Sequence, residues 1–435
     1  MSSPSSFLIA ASLLAPLLTP TSAWAQGTVR NGVNPDRQPL IAILRDPQQE
    51  GELRLQALSM LAYLARPLTL KSVTSVKHLA RGPYLADYAR CLGLCGAEAL
   101  PNLRALRTKR DPDAAAEVMY ARVLLEDDGT ALALSTLRNR KALERTRVAA
   151  LRALADADSP FANVEALRRL EMESGILLYE SLAVLRRKPS RDHIPYLIEL
   201  LKTTSVRAAN ESVAMLQTIT GYRIANDYKT WKYFYLKHKA DGTPFLRTAD
   251  GGTEESSLSY MGVPIYSDRI VFSLDSSSSM GERMSAGAFE TRSTRAVNEL
   301  VYLLPHLPTS AALNVLFFDS EVSTFADGLI DISADVQAQI AAFTEDHGPQ
   351  GGTNLFGGLD EAFRQDGVEE IILLTDGSPS VGEIVEPLAI LARVARYNRW
   401  QLVRISTVSL RAPRRAEAFL TRLAEENLGV CKILR

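Results

Sequence analysis

The 435-residue sequence predicts a multidomain protein in which an N-terminal all-α solenoid is followed by an α/β region with a doubly wound, mostly parallel sheet. The chain is longer than the roughly 250–300 residues at which a single hydrophobic core usually stops growing. Between residues 39 and 240, apolar side chains recur at helical spacing between breaks at Pro, Gly and Asp. From Arg269 onward, apolar strands alternate with amphipathic helices, which is typical of a parallel sheet covered on both faces.

The first 25 residues read as a signal peptide. Residues 7–18 form an apolar stretch that is too short to span a bilayer, and the small-x-small triplet Ala23-Trp24-Ala25 follows Pro20. No Lys or Arg precedes the stretch, so a disordered apolar tail or a poor membrane anchor is the alternative. We expect cleavage after Ala25, a short linker over 26–38, and a periplasmic or secreted protein with no membrane span in its mature chain.

The helical region over 39–240 is repetitive. Short amphipathic stretches of similar texture recur, for example at 40–44, 147–154 and 194–201. Helix pairs repeating at roughly 35–45 residues indicate an α-solenoid and resemble HEAT repeats, with an irregular helical bundle as the alternative. An aromatic helix around Trp231 is expected to close the array, and the Gly-, Ser- and acid-rich residues 241–262 are expected to form a linker at which the two halves separate.

The α/β region is predicted from alternating segments. The expected strands are 270–274, 313–318, 370–374 and 402–408, with a last short strand near Val430, and the expected helices are 296–304, 336–343, 387–397 and 416–426. In such a sheet, ligand sites form at the carboxyl ends of the strands.

Three polar clusters fall at or near these strand ends. Asp275, Ser277 and Ser279 form D-x-S-x-S directly after the first strand, Thr353 follows two glycines in a loop before a helix, and Asp376 follows the third core strand within T-D-G. A hard divalent ion prefers about six oxygen ligands, which carboxylates, hydroxyls and waters supply. The sequence therefore predicts a cation site built from these five residues.

In this order, the clusters closely resemble the metal-ion-dependent adhesion site of von Willebrand factor A (VWA) domains, and the resemblance covers residues 264–435. It implies a Rossmann-like domain over 263–435 in which Ser277, Ser279 and Thr353 approach the metal by their hydroxyls. Asp275 and Asp376 would bind it directly or through water. The implied cation is Mg²⁺, with Mn²⁺ or Ca²⁺ as alternatives, and its sixth position would receive an Asp or Glu of a protein partner.

Composition and motifs favour a binding protein over an enzyme. A net charge of −1 gives no support for a nucleic-acid partner. The sequence contains no G-x-S-x-G, H-E-x-x-H or P-loop, and its five histidines are scattered. Two alternatives remain open: a structural helical-repeat scaffold in which the cation only stabilises loops, and an exported metal-assisted hydrolase. Of the three cysteines, Cys91 and Cys95 are expected to be buried thiols.

Overall fold

The computed structural model describes residues 37–242, 258–284 and 289–435. The predicted signal peptide, with its cleavage point after Ala25, lies outside these residues, and so does most of the predicted linker over 241–262. Within the three described ranges, no helix is both long and apolar enough to cross a bilayer.

The N-terminal region is helical, as predicted. Local signals set the helix ends: the Asp111 carboxylate accepts the Ala114 amide at one helix start, and Gly221 ends another with a left-handed φ of 75°. The helices are α1 (Gln38–Arg45), α2 (Gly51–Tyr63), α3 (Leu70–Thr74), α4 (Leu85–Gly93), α5 (Leu100–Ala105), α6 (Pro112–Leu125), α7 (Gly129–Arg138), α8 (Glu144–Asp156), α9 (Phe161–Leu170), α10 (Gly175–Arg187), α11 (Ile194–Leu200), α12 (Val206–Thr220) and α13 (Tyr228–Ala240).

Alternate helices of this region contact each other in succession: α2 contacts α4, α4 contacts α6, and α6 contacts α8. The HEAT-like solenoid itself stays a prediction. Cys91 is buried within α4 and Cys95 is half-buried just beyond it, and both are free thiols.

The C-terminal region is a mixed, mostly parallel sheet with helices, as predicted. Its strands are β1 (Ser259–Tyr260), β2 (Val263–Pro264), β3 (Arg269–Asp275), β4 (Ala312–Phe318), β5 (Val322–Thr324), β6 (Ile330–Asp331), β7 (Glu370–Thr375), β8 (Arg404–Leu410) and β9 (Leu428–Leu434). Its helices are α14 (Arg292–Leu303), α15 (Ala334–Glu345), α16 (Leu355–Arg364), α17 (Pro387–Asn398) and α18 (Arg414–Glu425).

The main sheet has the order β5-β4-β3-β7-β8-β9, and β6 also pairs with β4. Strands β4, β3, β7, β8 and β9 are parallel, whereas the short β5 and β6 run antiparallel to β4. All residues of β4, β7 and β8 are buried, because the sheet is covered on both faces. The carboxyl ends of β3 and β7 lie side by side, which places Asp275 and Asp376 at one edge.

By contacts, the described chain divides into two compact units. One comprises residues up to 159 together with 386–400, and the other comprises 160–385 together with 401–435. Helices α9–α13, which the sequence assigns to the helical domain, therefore share a unit with the sheet. This division differs from the predicted boundary at 241–262.

The second unit is held together partly by buried charge. Arg207 of α12 donates to the carbonyl of Leu402 at 2.7 Å and to that of Glu369 at 3.2 Å, both just before sheet strands. Tyr179 of α10 donates its hydroxyl to the Glu369 carboxylate at 2.7 Å. These contacts join α10 and α12 to the amino ends of β7 and β8, at the opposite end of the strands from Asp275.

Candidate metal site

Asp275 is the last residue of the buried strand β3, and both of its carboxylate oxygens are engaged. One oxygen accepts the Ser277 amide at 2.8 Å, and the other accepts the hydroxyl of Thr375 from β7 at 2.5 Å. The Thr375 hydroxyl in turn accepts the Gly377 amide at 3.1 Å, which fixes the turn that carries Asp376. The side chain of Asp275 is thus held at the edge shared by β3 and β7.

Burial dominates the electrostatics of this carboxylate. Loss of solvent raises the pKa of Asp275 to about 6, although hydrogen bonds from Ser277 and Thr375 oppose the rise. The nearby charge of Asp376 also raises it. A cation beside Asp275 would stabilise the ionised carboxylate, because it would offset both the loss of solvent and the repulsion between Asp275 and Asp376.

Three of the remaining predicted ligands form a row of oxygens beside Asp275. The hydroxyls of Ser277 and Ser279 lie 3.2 Å apart, and the Ser279 hydroxyl donates to Asp376 Oδ1 at 2.8 Å. Ser277 and Asp376 are 2% and 3% exposed, and Ser279 between them is partly exposed.

Thr353 reaches the same turn from the loop before α16. Its Oγ1 lies 3.8 Å from the point that a Cβ on Gly377 would occupy. Its amide donates to the Ser380 hydroxyl at 2.9 Å, and its carbonyl accepts the Ser380 amide at 3.0 Å. The structure therefore brings the loop of Thr353 to the same edge as the other four predicted residues.

The loop before Thr353 is fixed by Asp319 and Ser320, which follow β4. The Asp319 carbonyl accepts the Asn354 amide at 2.7 Å, and the Ser320 hydroxyl accepts the Gly352 amide at 3.0 Å. These two residues therefore position the loop that carries Thr353.

The donor set fits a hard divalent cation. Neighbouring ligands of an octahedral ion with bonds of about 2.1 Å are about 3 Å apart, which matches the spacing of the Ser277, Ser279 and Asp376 oxygens. In the described parts of the chain, no three His, Cys, Asp or Glu side chains converge as a carboxylate- or imidazole-based metal centre requires. Any ion here would therefore depend on hydroxyls and water as well as on the two carboxylates.

Arg292 also enters the site, although it is not among the residues predicted from the sequence. As the first residue of α14, it places Nη1 2.5 Å from Asp376 Oδ2 and 3.3 Å from the Ser279 carbonyl, while Nη2 lies 2.7 Å from Glu282. No motif marks Arg292, because it reaches Asp376 only through the fold. Ser380 lies outside the predicted motifs as well, whereas Thr375 belongs to the T-D-G motif but was not among the predicted site residues.

The fold and the site together define an α/β domain with a carboxylate and hydroxyl cluster at the carboxyl ends of its central parallel strands. A family model described as the von Willebrand factor type A domain matches residues 268–433. This part of the chain thus matches a VWA-type domain, in agreement with the resemblance noted from the motifs. The match covers less than half of the chain and leaves the helical region outside it. No curated protein matched the chain.

Several solved structures resemble part of the chain. The PilB minor pilin from Streptococcus sanguinis is 15% identical over 38% of this chain and 56% of its own, with a TM-score of 0.32. A von Willebrand factor type A protein from Catenulispora acidiphila is 18% identical over 38% of each chain, with a TM-score of 0.31. The conserved hypothetical protein BatB from Bacteroides thetaiotaomicron is 16% identical over 38% of this chain and 88% of its own, with a TM-score of 0.29. The chain thus spans about half or less of the first two, and likeness at this level does not extend to ligands or partners.

Proposed function

We propose that the VWA-type domain is a protein-binding module that holds a divalent cation and uses it to capture an acidic side chain of a partner protein. The expected cation is Mg²⁺. The proposed ligands are Asp275, Ser277, Ser279, Thr353 and Asp376. The observation that carries the proposal is the row of oxygens from Ser277 through Ser279 to Asp376, which has cation-ligand spacing. It lies beside the buried Asp275, whose carboxylate accepts the Ser277 amide, so the donor set contains only two carboxylates.

The charge of this donor set favours an acidic partner. Two carboxylates can at most neutralise a divalent ion, and the three hydroxyls are neutral ligands. If at least one of the carboxylates acts through water, the ion remains electrophilic and retains affinity for a carboxylate from outside. A charge-assisted contact of this kind typically costs about 2–5 kcal/mol when one member is truncated, which corresponds to tens- to thousands-fold in affinity.

The first test is calorimetric titration of Mg²⁺ and Mn²⁺ into the wild-type chain, Asp275→Ala and Thr353→Ala. We expect both variants to lose cation binding while they remain folded. Asp327→Ala is the matched control, since Asp327 is an exposed aspartate in the turn between β5 and β6. If Asp275→Ala binds the cation as the wild type does, the site assignment is wrong.

The second test is a pull-down from a cell-envelope fraction, performed with Mg²⁺ and again with chelator. Capture that requires the cation and fails in Asp275→Ala supports the binding module. Capture indifferent to chelator would overturn the mechanism even if the cation binds, and would favour the scaffold role, in which the cation only stabilises loops. The choice of an envelope fraction depends on export, which remains a prediction from residues 1–25.

A further inference from the structure

Arg292 is a cation already present inside the proposed cation site. Its side chain is 11% exposed, and it forms an ion pair with Asp376, whose side chain is fully buried. Both oxygens of Asp376 are therefore engaged, Oδ1 by the Ser279 hydroxyl and Oδ2 by Arg292. A divalent ion that binds Asp376 must share this carboxylate with a guanidinium.

The position of Arg292 is unfavourable for the helix that carries it. It is the first residue of α14, where the helix dipole presents partial positive charge and favours anions. Its buried Nε–H also has no hydrogen-bond partner among the described residues. Neither feature stabilises α14, whereas the contacts of the guanidinium with Asp376, Glu282 and the Ser279 carbonyl hold the side chain in the site.

We infer that Arg292 is a built-in counter-cation that competes with the divalent ion for Asp376 and sets how tightly the site holds that ion. This inference rests on the proposed function, because it concerns the same site. Asp275 and Asp376 together supply two negative charges, and Arg292 reduces the sum to one. An incoming divalent ion therefore meets a weaker attraction and a positive charge a few ångströms away.

The inference predicts that removing the charge of Arg292 strengthens cation binding. We expect Arg292→Gln to bind Mn²⁺ and Mg²⁺ on the order of tenfold more tightly than the wild-type chain, since a unit charge at contact distance in a partly buried site has an effect of at least this size. The measurement is calorimetric titration of each metal alone into the full chain, with circular dichroism to verify folding. Arg292→Met is a second neutral variant, which keeps an apolar stem should the glutamine variant misfold.

Arg295→Gln is the matched control. Arg295 lies on the same helix and carries the same charge, but it is 49% exposed and pairs with Glu290 at 3.6 Å instead of reaching Asp376. We expect its metal affinity to stay within about twofold of the wild type, because exposed charges are screened by solvent and salt.

Substitution of Glu282 is expected to change the cation affinity in the opposite direction. Glu282 holds the second arm of Arg292 and is 65% exposed, so Glu282→Gln leaves Asp376 as the only acidic partner of the guanidinium among the described residues. We expect this variant to bind the cation several-fold more weakly than the wild type. In the Arg292→Gln background the effect of Glu282→Gln should largely disappear, because the arginine through which it acts is absent.

The outcomes separate the inference from the proposed function. If the wild type binds the metal and the neutral variants of Arg292 bind it equally or more weakly, Arg292 is not a competitor and the inference is overturned, while the metal site stands. If folded wild type and folded Arg292 variants all fail to bind Mn²⁺ and Mg²⁺, the metal site itself is overturned. Tighter binding in Arg292→Gln than in Arg295→Gln supports the inference.

Discussion

Gly351 shows how one residue sets the geometry of the Thr353 loop. Its φ is +64°, in the left-handed region that favours glycine, and an added Cβ would lie 2.6 Å from the Ser320 hydroxyl oxygen. That hydroxyl accepts the Gly352 amide and so fixes the approach to Thr353. In a Gly351→Ala variant, backbone strain and displacement of Ser320 would therefore disturb the position of Thr353, a proposed metal ligand.

We expect Gly351→Ala to lower the free energy of unfolding by about 1 kcal/mol or more and to weaken Mn²⁺ binding. Urea unfolding and calorimetric titration measure the two effects. Gly348→Ala is the control in the same loop, because nothing lies within 4 Å of its Cβ position and its φ is not left-handed. Equal metal affinity in the two alanine variants would show that the Gly351 conformation does not position Thr353.

The sequence predicts only those residues of the candidate site that belong to a recognisable motif. Asp275, Ser277 and Ser279 are adjacent in the chain, and Asp376 ends a recognisable apolar strand, so both groups could be placed at one edge of the sheet. Arg292 could not be, because its contact with Asp376 depends on where the chain after Met284 returns to start α14. No residue spacing in the sequence predicts this contact between Arg292 and Asp376.

Among the elements, long and strongly patterned segments are predicted best. The apolar runs of β3, β4 and β7 are buried on both faces and are identified from hydrophobicity alone. The short strands β5 and β6 were missed, since two or three half-buried or exposed residues give no periodic signal and form a sheet edge only through pairing with β4. The last core strand begins two residues later than predicted, at Arg404.

Helix α12 carries a buried charge network of the second unit. Glu211 is 1% exposed and pairs with Arg207 at 3.0 Å, Arg186 at 2.7 Å and Arg404 at 3.5 Å. Burial alone would raise the pKa of Glu211, but the three arginines outweigh it and lower the pKa from 4.5 to about 2. The network thus stabilises the folded state while Glu211 is ionised.

We expect Glu211→Gln to destabilise the protein by about 3–5 kcal/mol near neutral pH, because it leaves three arginines without their shared buried acid. The folded-state pKa lies below the unfolded value, so this contribution is complete above pH 4.5 and is lost as the pH falls toward about 2. Urea unfolding across that window should show a shallower loss of stability in the variant than in the wild type.

Glu199→Gln is the control for this prediction. The pKa of Glu199 is also lowered to about 2, by hydrogen bonds from Lys202 and Lys232, but its side chain is 42% exposed. Exposed ion pairs contribute about 0–1 kcal/mol, so the control should change stability little. A similar loss in both variants would contradict the importance of burial at Glu211.

At the scale of the whole molecule, each compact unit contains chain from both sides of residues 241–262. In the first unit, α17 packs on α2, Arg393 pairs with Glu52, and the Trp400 indole donates to Glu117 at 3.1 Å. In the second, Arg207 of α12 donates to the Leu402 carbonyl. The sequence could not predict this, because the amphipathic pattern of a helix shows that one face is buried but does not show which element covers it.

The last prediction concerns what happens when the chain is cut between these segments. Residues 241–262 are rich in Gly, Ser and acidic side chains, so we expect limited proteolysis to cleave there first. Because both units combine chain from each side of the cut, we expect the two fragments to elute together in size-exclusion chromatography under native conditions and to separate only in urea. Mass spectrometry of the fragments locates the cut. Fragments that separate without denaturant would instead show two independent domains, and first cleavage inside 270–430 would show that the linker is misplaced.

Arg207→Ala sharpens the test, since loss of its contacts with the Leu402 and Glu369 carbonyls should let the cut fragments separate at lower urea concentration than the wild-type fragments.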